Sequence, residues 1–370
     1  MHILIAPDSF KESLSAEEVA LCIQKGLFQA LPSATFDLMP VGDGGEGTIR
    51  ILSKVLEVEE KELLVTGPFG DKVAMPYGRK DSLALFEMAD LVGLGLIPVA
   101  KRNPLALETR GLGELLAYLA KDGVKKVLVG VGGSATNDGG LGLAAGLGYT
   151  FFDKDGHRLQ AKGSSLERVA RLSSKQVSTD IFQLDIQILT DVRNPLCGES
   201  GATYVFGAQK GLSPLLMPAV DQAMERVYRT FYPDVLELDG AGAGGGMAAG
   251  LVAFAGGKIV SGIDVCLDIL NFDKRCEKAD FLIVGEGKMD RQSIQGKAPF
   301  GVARRAPKGL PVLAICGSLG ADLPPFPLEN IKAAFPIIGQ VESLEDTLLH
   351  AKENLIRTAR NIGTILKLSE

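Results

Sequence analysis

Five times along this chain an apolar, strand-like run ends at a carboxylate set among glycines or small polar residues. Asp8 follows HILIAP, and Asp43 lies in GDGGEG after FDLMPV. Asp138 lies in GGSATNDGG after KKVLVGV, Asp191 ends DIQILTD, and Glu286 and Asp290 lie in GEGKMD after DFLIVG. Glycine lets the backbone take positive φ and approach a ligand closely. A carboxylate in such a place can hold a hard cation or take a proton. Open α/β sheets bind ligands outside the carboxyl ends of their strands. The repetition therefore predicts one polar cleft fed by many loops.

Periodicity organises the chain around these loops. Residues 2–6 read as a strand, and Ser15 with Glu18 forms a capping box for a helix over 16–31. A strand over 36–41 and a helix over 46–56 follow. The C-terminal part has the same rhythm: strands at 281–285, 312–317 and 333–338, a short helix at 297–305, and a long helix capped by Ser343. Alternation of this kind predicts a parallel, Rossmann-like sheet to which both chain ends contribute. The middle differs. Three closely spaced strands within 63–89 lack intervening helices and predict antiparallel pairing. Helices at 113–121, 139–148 and 214–231 and strands at 126–131, 149–153 and 185–190 come next, and the Gly/Ala run from Gly240 reads as a tightly packed helix. The expected architecture is α/β with two domains. Residues 1–62 and 268–370 form a discontinuous Rossmann-like domain, and 63–267 form an inserted α/β domain with a mixed sheet.

Composition narrows the function. Net charge is −6 and no run of Lys and Arg opposes it, which disfavours nucleic acid as a partner. No segment approaches about 18 uninterrupted apolar residues, so no membrane span is expected. The N-terminal run is too short and uncharged for a signal peptide. Cys22, Cys197, Cys266, Cys276 and Cys316 contain no C-x-x-C and read as thiols of a reducing cytoplasm. Glycine makes up 45 of 370 residues, about 12% against a usual value of roughly 7%, and it clusters in the loops named above.

Each loop has a chemical and a plain reading. DSFKESLSA places Asp8, Ser9 and Lys11 before a helix N-terminus that favours an anion, or it is a capped, solvated loop. GDGGEG either binds an ion or substrate through Asp43 or is a turn whose Glu46 complements a helix dipole. In GVGGSATNDGG, backbone amides with Ser134, Thr136 and Asn137 can cradle phosphates, and Asp138 can hold a cation. A tight turn explains the glycines there but not the polar run. TDVRNPL sets Asp191 near Arg193, as a metal ligand, a base or a local salt bridge. GEGKMDRQSIQGK offers Glu286, Lys288, Asp290 and Lys297 to a nucleotide–metal site or to solvent. GAGAGGG matches G-x-G-x-x-G, but its preceding strand is poor, and no G-x-x-x-x-G-K-[ST] occurs. His2, His157 and His350 are the only histidines and none lies in a glycine motif. A Ser-His-Asp hydrolase or a zinc enzyme has little to work with, so proton transfer falls to carboxylate or lysine.

With these segments in order (DSFKESLSA, VGDGGEGT, GGSATNDGG, TDVRNPLCGESGA, FGAQKG, GAGAGGGMAAGL, GIDVCLDILNFD and GEGKMDRQSIQGKAPFGVA), the chain resembles the class I, bacterial-type glycerate kinases over essentially its full length. The resemblance implies ATP-dependent phosphorylation of D-glycerate, Mg²⁺, and two α/β domains with the site between them. It departs from the usual pattern at Glu12, often glycine, at Ala208, often proline, and at Gly244, in a run usually richer in alanine. The expected division of labour has Asp191, Lys11 and Asp290 in catalysis, with Asp191 orienting the acceptor. Asp8, Ser9, Asp43, Arg193 and Lys288 meet substrate. Gly132, Gly133, Ser134, Thr136, Asn137 and Asp138 meet nucleotide phosphates, and Glu286 with Asp290 meets the metal. Lys210 and Lys297 are further cations able to receive phosphate charge. The product is 2- or 3-phosphoglycerate, with the 2-isomer slightly favoured, and a homodimer is possible. Two other classes fit parts of the pattern: a nicotinamide-dependent oxidoreductase using the glycine run, and a non-catalytic hydroxy-acid binding protein. The many carboxylates oppose the second, because they would repel an anion in the absence of a metal.

Overall fold

The computed structural model describes residues 1–341 and 343–368. Thirteen strands among them are β1 (His2–Pro7), β2 (Thr35–Leu38), β3 (Glu59–Thr66), β4 (Lys72–Lys80), β5 (Leu83–Glu87), β6 (Lys126–Gly130), β7 (Thr150–Phe152), β8 (Arg171–Ser173), β9 (Asp185–Leu189), β10 (Lys258–Val260), β11 (Phe281–Met289), β12 (Val312–Leu319) and β13 (Ile331–Pro336). The chain divides into two compact units, Met1–Asp43 with Gly262–Glu370, and Gly44–Ser261.

The first unit is built on a five-stranded sheet of order β13-β12-β11-β1-β2, and every pairing is parallel. Both chain ends contribute, as the alternating pattern predicts. On one face Ile3, Ile5, Ile283 and Ile315 pack against Val19, Ile23 and Leu27 of the helix Ala16–Ala30 and against Leu355, Ala359 and Ile362 of the helix Ala351–Lys367. Burying each such side chain stabilises by roughly 1.5–3 kcal/mol. The two helices cross closely: a Cβ on Gly26 would lie 2.3 Å from the carbonyl oxygen of Ile356. The Ser15–Glu18 capping box is present at the first of these helices. The long helix expected after Ser343 is two helices, Leu344–Leu349 and Ala351–Lys367, parted at His350. The helix Ala298–Arg305 packs on β11 and β1 and adds no residue to the first cluster, so it covers the opposite face. The connections leaving β1 and β11 thus go to opposite faces, and the point between these two adjacent strands is a topological switch point.

The second unit holds a six-stranded sheet of order β10-β9-β6-β5-β4-β3. Its first four strands are mutually parallel and β4 and β3 run antiparallel. The antiparallel pairing expected across 63–89 holds for β3–β4 and β4–β5, while β5 continues into the parallel part through β6. β7 pairs with β8 in a separate two-stranded sheet. Phe86, Val127, Val129, Ile186 and Ile188 form the core with Leu112, Leu115, Leu116 and Leu119 of the helix Arg110–Lys121. The Gly/Ala run forms the helix Ala243–Ala255, but Gly244, Gly245 and Gly246 have φ of 68°, 71° and 85°. Regular helix therefore begins at Met247.

The unit boundaries fall after Asp43 and Ser261, whereas the sequence pattern puts them near 62/63 and 267/268. The packing explains the shift. The helix Thr48–Leu56 rests on β5 and β6, and a Cβ on Gly44 would lie 2.6 Å from the backbone of Leu189. At the other crossing Ile263 packs against Gly301 in the first unit. Among the described residues no helix is long and apolar enough to cross a membrane.

Candidate functional site

In the first unit the polar loops gather at the carboxyl ends of β1, β2 and β11. Pro7 stands opposite Gly285 in the parallel register, which sets Asp8 beside Glu286 at the switch point. The Asp8 amide donates to the carbonyl of Gly285 at 2.9 Å, and its own carboxylate accepts the Ser9 amide at 2.6 Å. Burial, reinforced by Asp43 and Glu286 and opposed by the Ser9 amide and Lys11, pushes Asp8 up to about 8. Glu286 is 5% exposed, and burial pushes it up to about 7, against the pull of Lys297. Lys297 Nζ lies 3.8 Å from Glu286 Oε2, while Glu286 Oε1 is buried and accepts no hydrogen bond. Lys288 Nζ lies 3.5 Å from Asp290 Oδ2, and the Gln292 amide donates to Asp290 Oδ1 at 3.0 Å. Asp8, Ser9, Lys11, Asp43, Glu286, Lys288 and Asp290 are thus on one sheet edge. Glu12 has φ of +64°, which explains why glycine suits that position; the left-handed conformation costs an ordinary residue about 1–2 kcal/mol.

The remaining expected residues belong to the second unit, at the carboxyl ends of β6 and β9. Gly132 and Gly133 line the accessible part of the loop after β6, and Gly133 has φ of +68°. Ser134, Thr136, Asn137 and Asp138 lie beneath and are buried. Thr136 Oγ1 and Asn137 Oδ1 are buried without a hydrogen-bond partner, while Asn137 Nδ2 donates to Thr203 Oγ1 at 3.0 Å. Asp138 is fully buried and both its oxygens are engaged. Oδ2 accepts from Thr109 Oγ1 at 2.7 Å and from the Gly142 amide at 3.2 Å, and Oδ1 accepts from the Gly140 amide at 2.9 Å. Its buried carboxylate thus ties the loop to the helix Leu141–Leu147. Asp191 sits half-buried just past β9, and Arg193 is exposed two residues on.

Glu87 and Tyr228, which were not expected here, organise this second cluster together with Lys210, expected as a cation for phosphate charge but found buried beneath the loop. Glu87, at the end of β5, takes the amides of Gly47 and Ile49 and holds the GDGGEG turn against the sheet. Burial pushes it up to about 7 despite those donors. LALFE is itself an apolar run closed by an acid, so the same strand-end signal marks it. Lys210 is 3% exposed and donates to Ser134 Oγ and to the Thr136 carbonyl, both at 2.8 Å. Tyr228 donates its hydroxyl to the Gly139 carbonyl at 2.6 Å. Neither Lys210 nor Tyr228 carries a local sequence signal for these contacts.

Glycine loops on one sheet and carboxylates with cations on another are parts that a small-molecule phosphotransferase can use. Comparison with known proteins specifies which. The model of the glycerate kinase family matches residues 3–367. A glycerate kinase of Neisseria meningitidis serogroup B is 55% identical, over 100% of this chain and 99% of its own length. The glycerate 2-kinase of Escherichia coli K12 is 38% identical over 100% and 98%. A crystal structure from Salmonella typhimurium LT2, provisionally described as glycerate kinase 2, superposes with a TM-score of 0.81 at 40% identity, covering 100% of this chain and 99% of that one. The chain belongs to the glycerate kinase family.

Proposed function

We propose that this protein transfers the terminal phosphoryl group of ATP to D-glycerate, with 2-phosphoglycerate as the favoured product. The observation that carries this reading is the end-to-end similarity to proteins named glycerate kinase, one of them a glycerate 2-kinase.

Phosphoryl transfer asks for positioning and charge neutralisation more than for covalent chemistry. The amides of Gly132 and Gly133 receive nucleotide phosphates, with Ser134, Thr136 and Asn137 shaping the loop and Asp138 locking it from within. Asp8, Ser9, Asp43, Arg193 and Lys288 take the glycerate. Burial raises the pKa of Asp8, which lessens its repulsion of an anionic acid. Asp191 orients the acceptor hydroxyl and takes its proton. Lys11 stabilises charge on the group in flight. Glu286 and Asp290 suit a hard divalent cation, since Glu286 presents a buried oxygen that no donor satisfies. Mg²⁺ bound there would neutralise phosphate charge.

A coupled assay of ADP formation with and without D-glycerate tests the activity, and phosphorus NMR of the product tests the position. ADP release independent of glycerate removes the kinase reading. A signal from 3-phosphoglycerate removes the preferred regiochemistry.

A further inference from the structure

Lys210 is buried at 3% exposure, and its ammonium reaches two points of the loop after β6 that are two residues apart: Ser134 Oγ and the carbonyl of Thr136. The left-handed turn Gly244–Gly246 packs against the same carbonyl. A Cβ on Gly245 would lie 2.0 Å from the Thr136 oxygen and 2.9 Å from Lys210 Nζ. The Gly139 amide donates to the Gly245 carbonyl, closing the joint. Burying an ammonium is costly, and an apolar side chain of similar length would fill the space more cheaply. What the lysine adds is a pair of hydrogen bonds that pin Ser134 and Thr136 directly after the two accessible glycines.

We infer that Lys210 is a positioning residue for nucleotide binding, which holds the Gly132–Gly133 amides in their phosphate-receiving arrangement by bracing Ser134 and Thr136 against the turn at Gly245. This rests on the assignment of that loop to the nucleotide. Burial lowers Lys210 to about 7, with Asp138 opposing, and an uncharged amine still has two N–H donors for the two acceptors. The brace therefore does not depend on the charge.

The test measures kcat, both KM values, ADP affinity by calorimetry and the melting temperature for Lys210→Met and, as a control on the loop itself, Gly133→Val. We expect Lys210→Met to raise the ATP KM and the ADP Kd by about tenfold or more, with kcat and the glycerate KM within about threefold of wild type. Gly133→Val should raise the same two nucleotide constants. If Gly133→Val weakens nucleotide binding and Lys210→Met does not, the brace is wrong and the loop assignment stands. If neither variant changes nucleotide binding, the loop assignment itself falls, and the brace with it. If Lys210→Met lowers kcat and both affinities together with the melting temperature, the lysine is structural only and the inference fails. Should Lys210→Met not fold, Lys210→Leu, which likewise removes the donors, is measured against the same thresholds.

Discussion

The carboxylate of Glu87 accepts the Gly47 amide with both oxygens, at 2.9 and 3.0 Å. Oε1 also takes the Ile49 amide at 2.8 Å, so one buried acid at the end of β5 satisfies two of the amide donors at the start of the helix Thr48–Leu56. In Glu87→Gln an amide donor competes for one of these positions. We expect the variant to lose about 1–3 kcal/mol of stability, read as a lower denaturant midpoint at unchanged slope.

The same residue imposes a pH dependence. Its pKa is raised in the folded chain from the ordinary 4.5 to about 7. Its contribution to stability is therefore fully present below about pH 4.5 and is lost as pH rises through about 7. Melting curves between about pH 5 and about pH 8 should fall less steeply for Glu87→Gln than for wild type. Equal slopes would remove Glu87 as the source.

Asp191 lies just past β9, half-buried, with a cation two positions on. In the proposed role of base for the acceptor hydroxyl it should be worth about 10²–10⁴ in rate. Asp191→Asn is expected to lower kcat by at least about a hundredfold with little change in the ATP KM. A near-normal kcat would take Asp191 out of the chemistry.

Glu286 has one oxygen near Lys297 and another with no donor. Glu286→Gln is expected to raise the Mg²⁺ concentration needed for half-maximal activity by about tenfold or more, while saturating metal restores part of the rate. Chelation of divalent ions should stop wild-type turnover without lowering its melting temperature by more than a few degrees.

At Gly245 both sterics and backbone geometry forbid a side chain, since φ is +71° and the Cβ would strike Thr136. Gly245→Ala should cost more than about 2 kcal/mol and weaken nucleotide binding. Gly156 has φ of +85° with no atom within 4 Å of its virtual Cβ, so Gly156→Asn should be nearly neutral. Similar losses at both sites would show that left-handed strain, and not the contact with Thr136, governs the first.

The alternating strands and helices of both chain ends, the parallel sheet they build and the carboxylates at its edge were legible in the amino-acid sequence, whereas β8, β10 and the helices Gly262–Ile269 and Phe272–Cys276 were not. Each legible feature depends on local signals: apolar period, a Ser15–Glu18 cap, glycine after a buried strand. Tertiary structure decided how each of those carboxylates is partnered. Asp8, Asp43 and Glu286 influence one another at the edge of one sheet, whereas Asp138, of the same sequence type, is consumed by Thr109, Gly140 and Gly142 inside another. It also decided that a lysine 76 positions from Ser134 would brace its loop, and that the first turn of a Gly/Ala run would be left-handed. Local periodicity specifies what a segment becomes. The partner of a buried donor or acceptor is specified only when distant segments are packed together, because the cost of leaving such a group unpaired is felt only once water has been excluded.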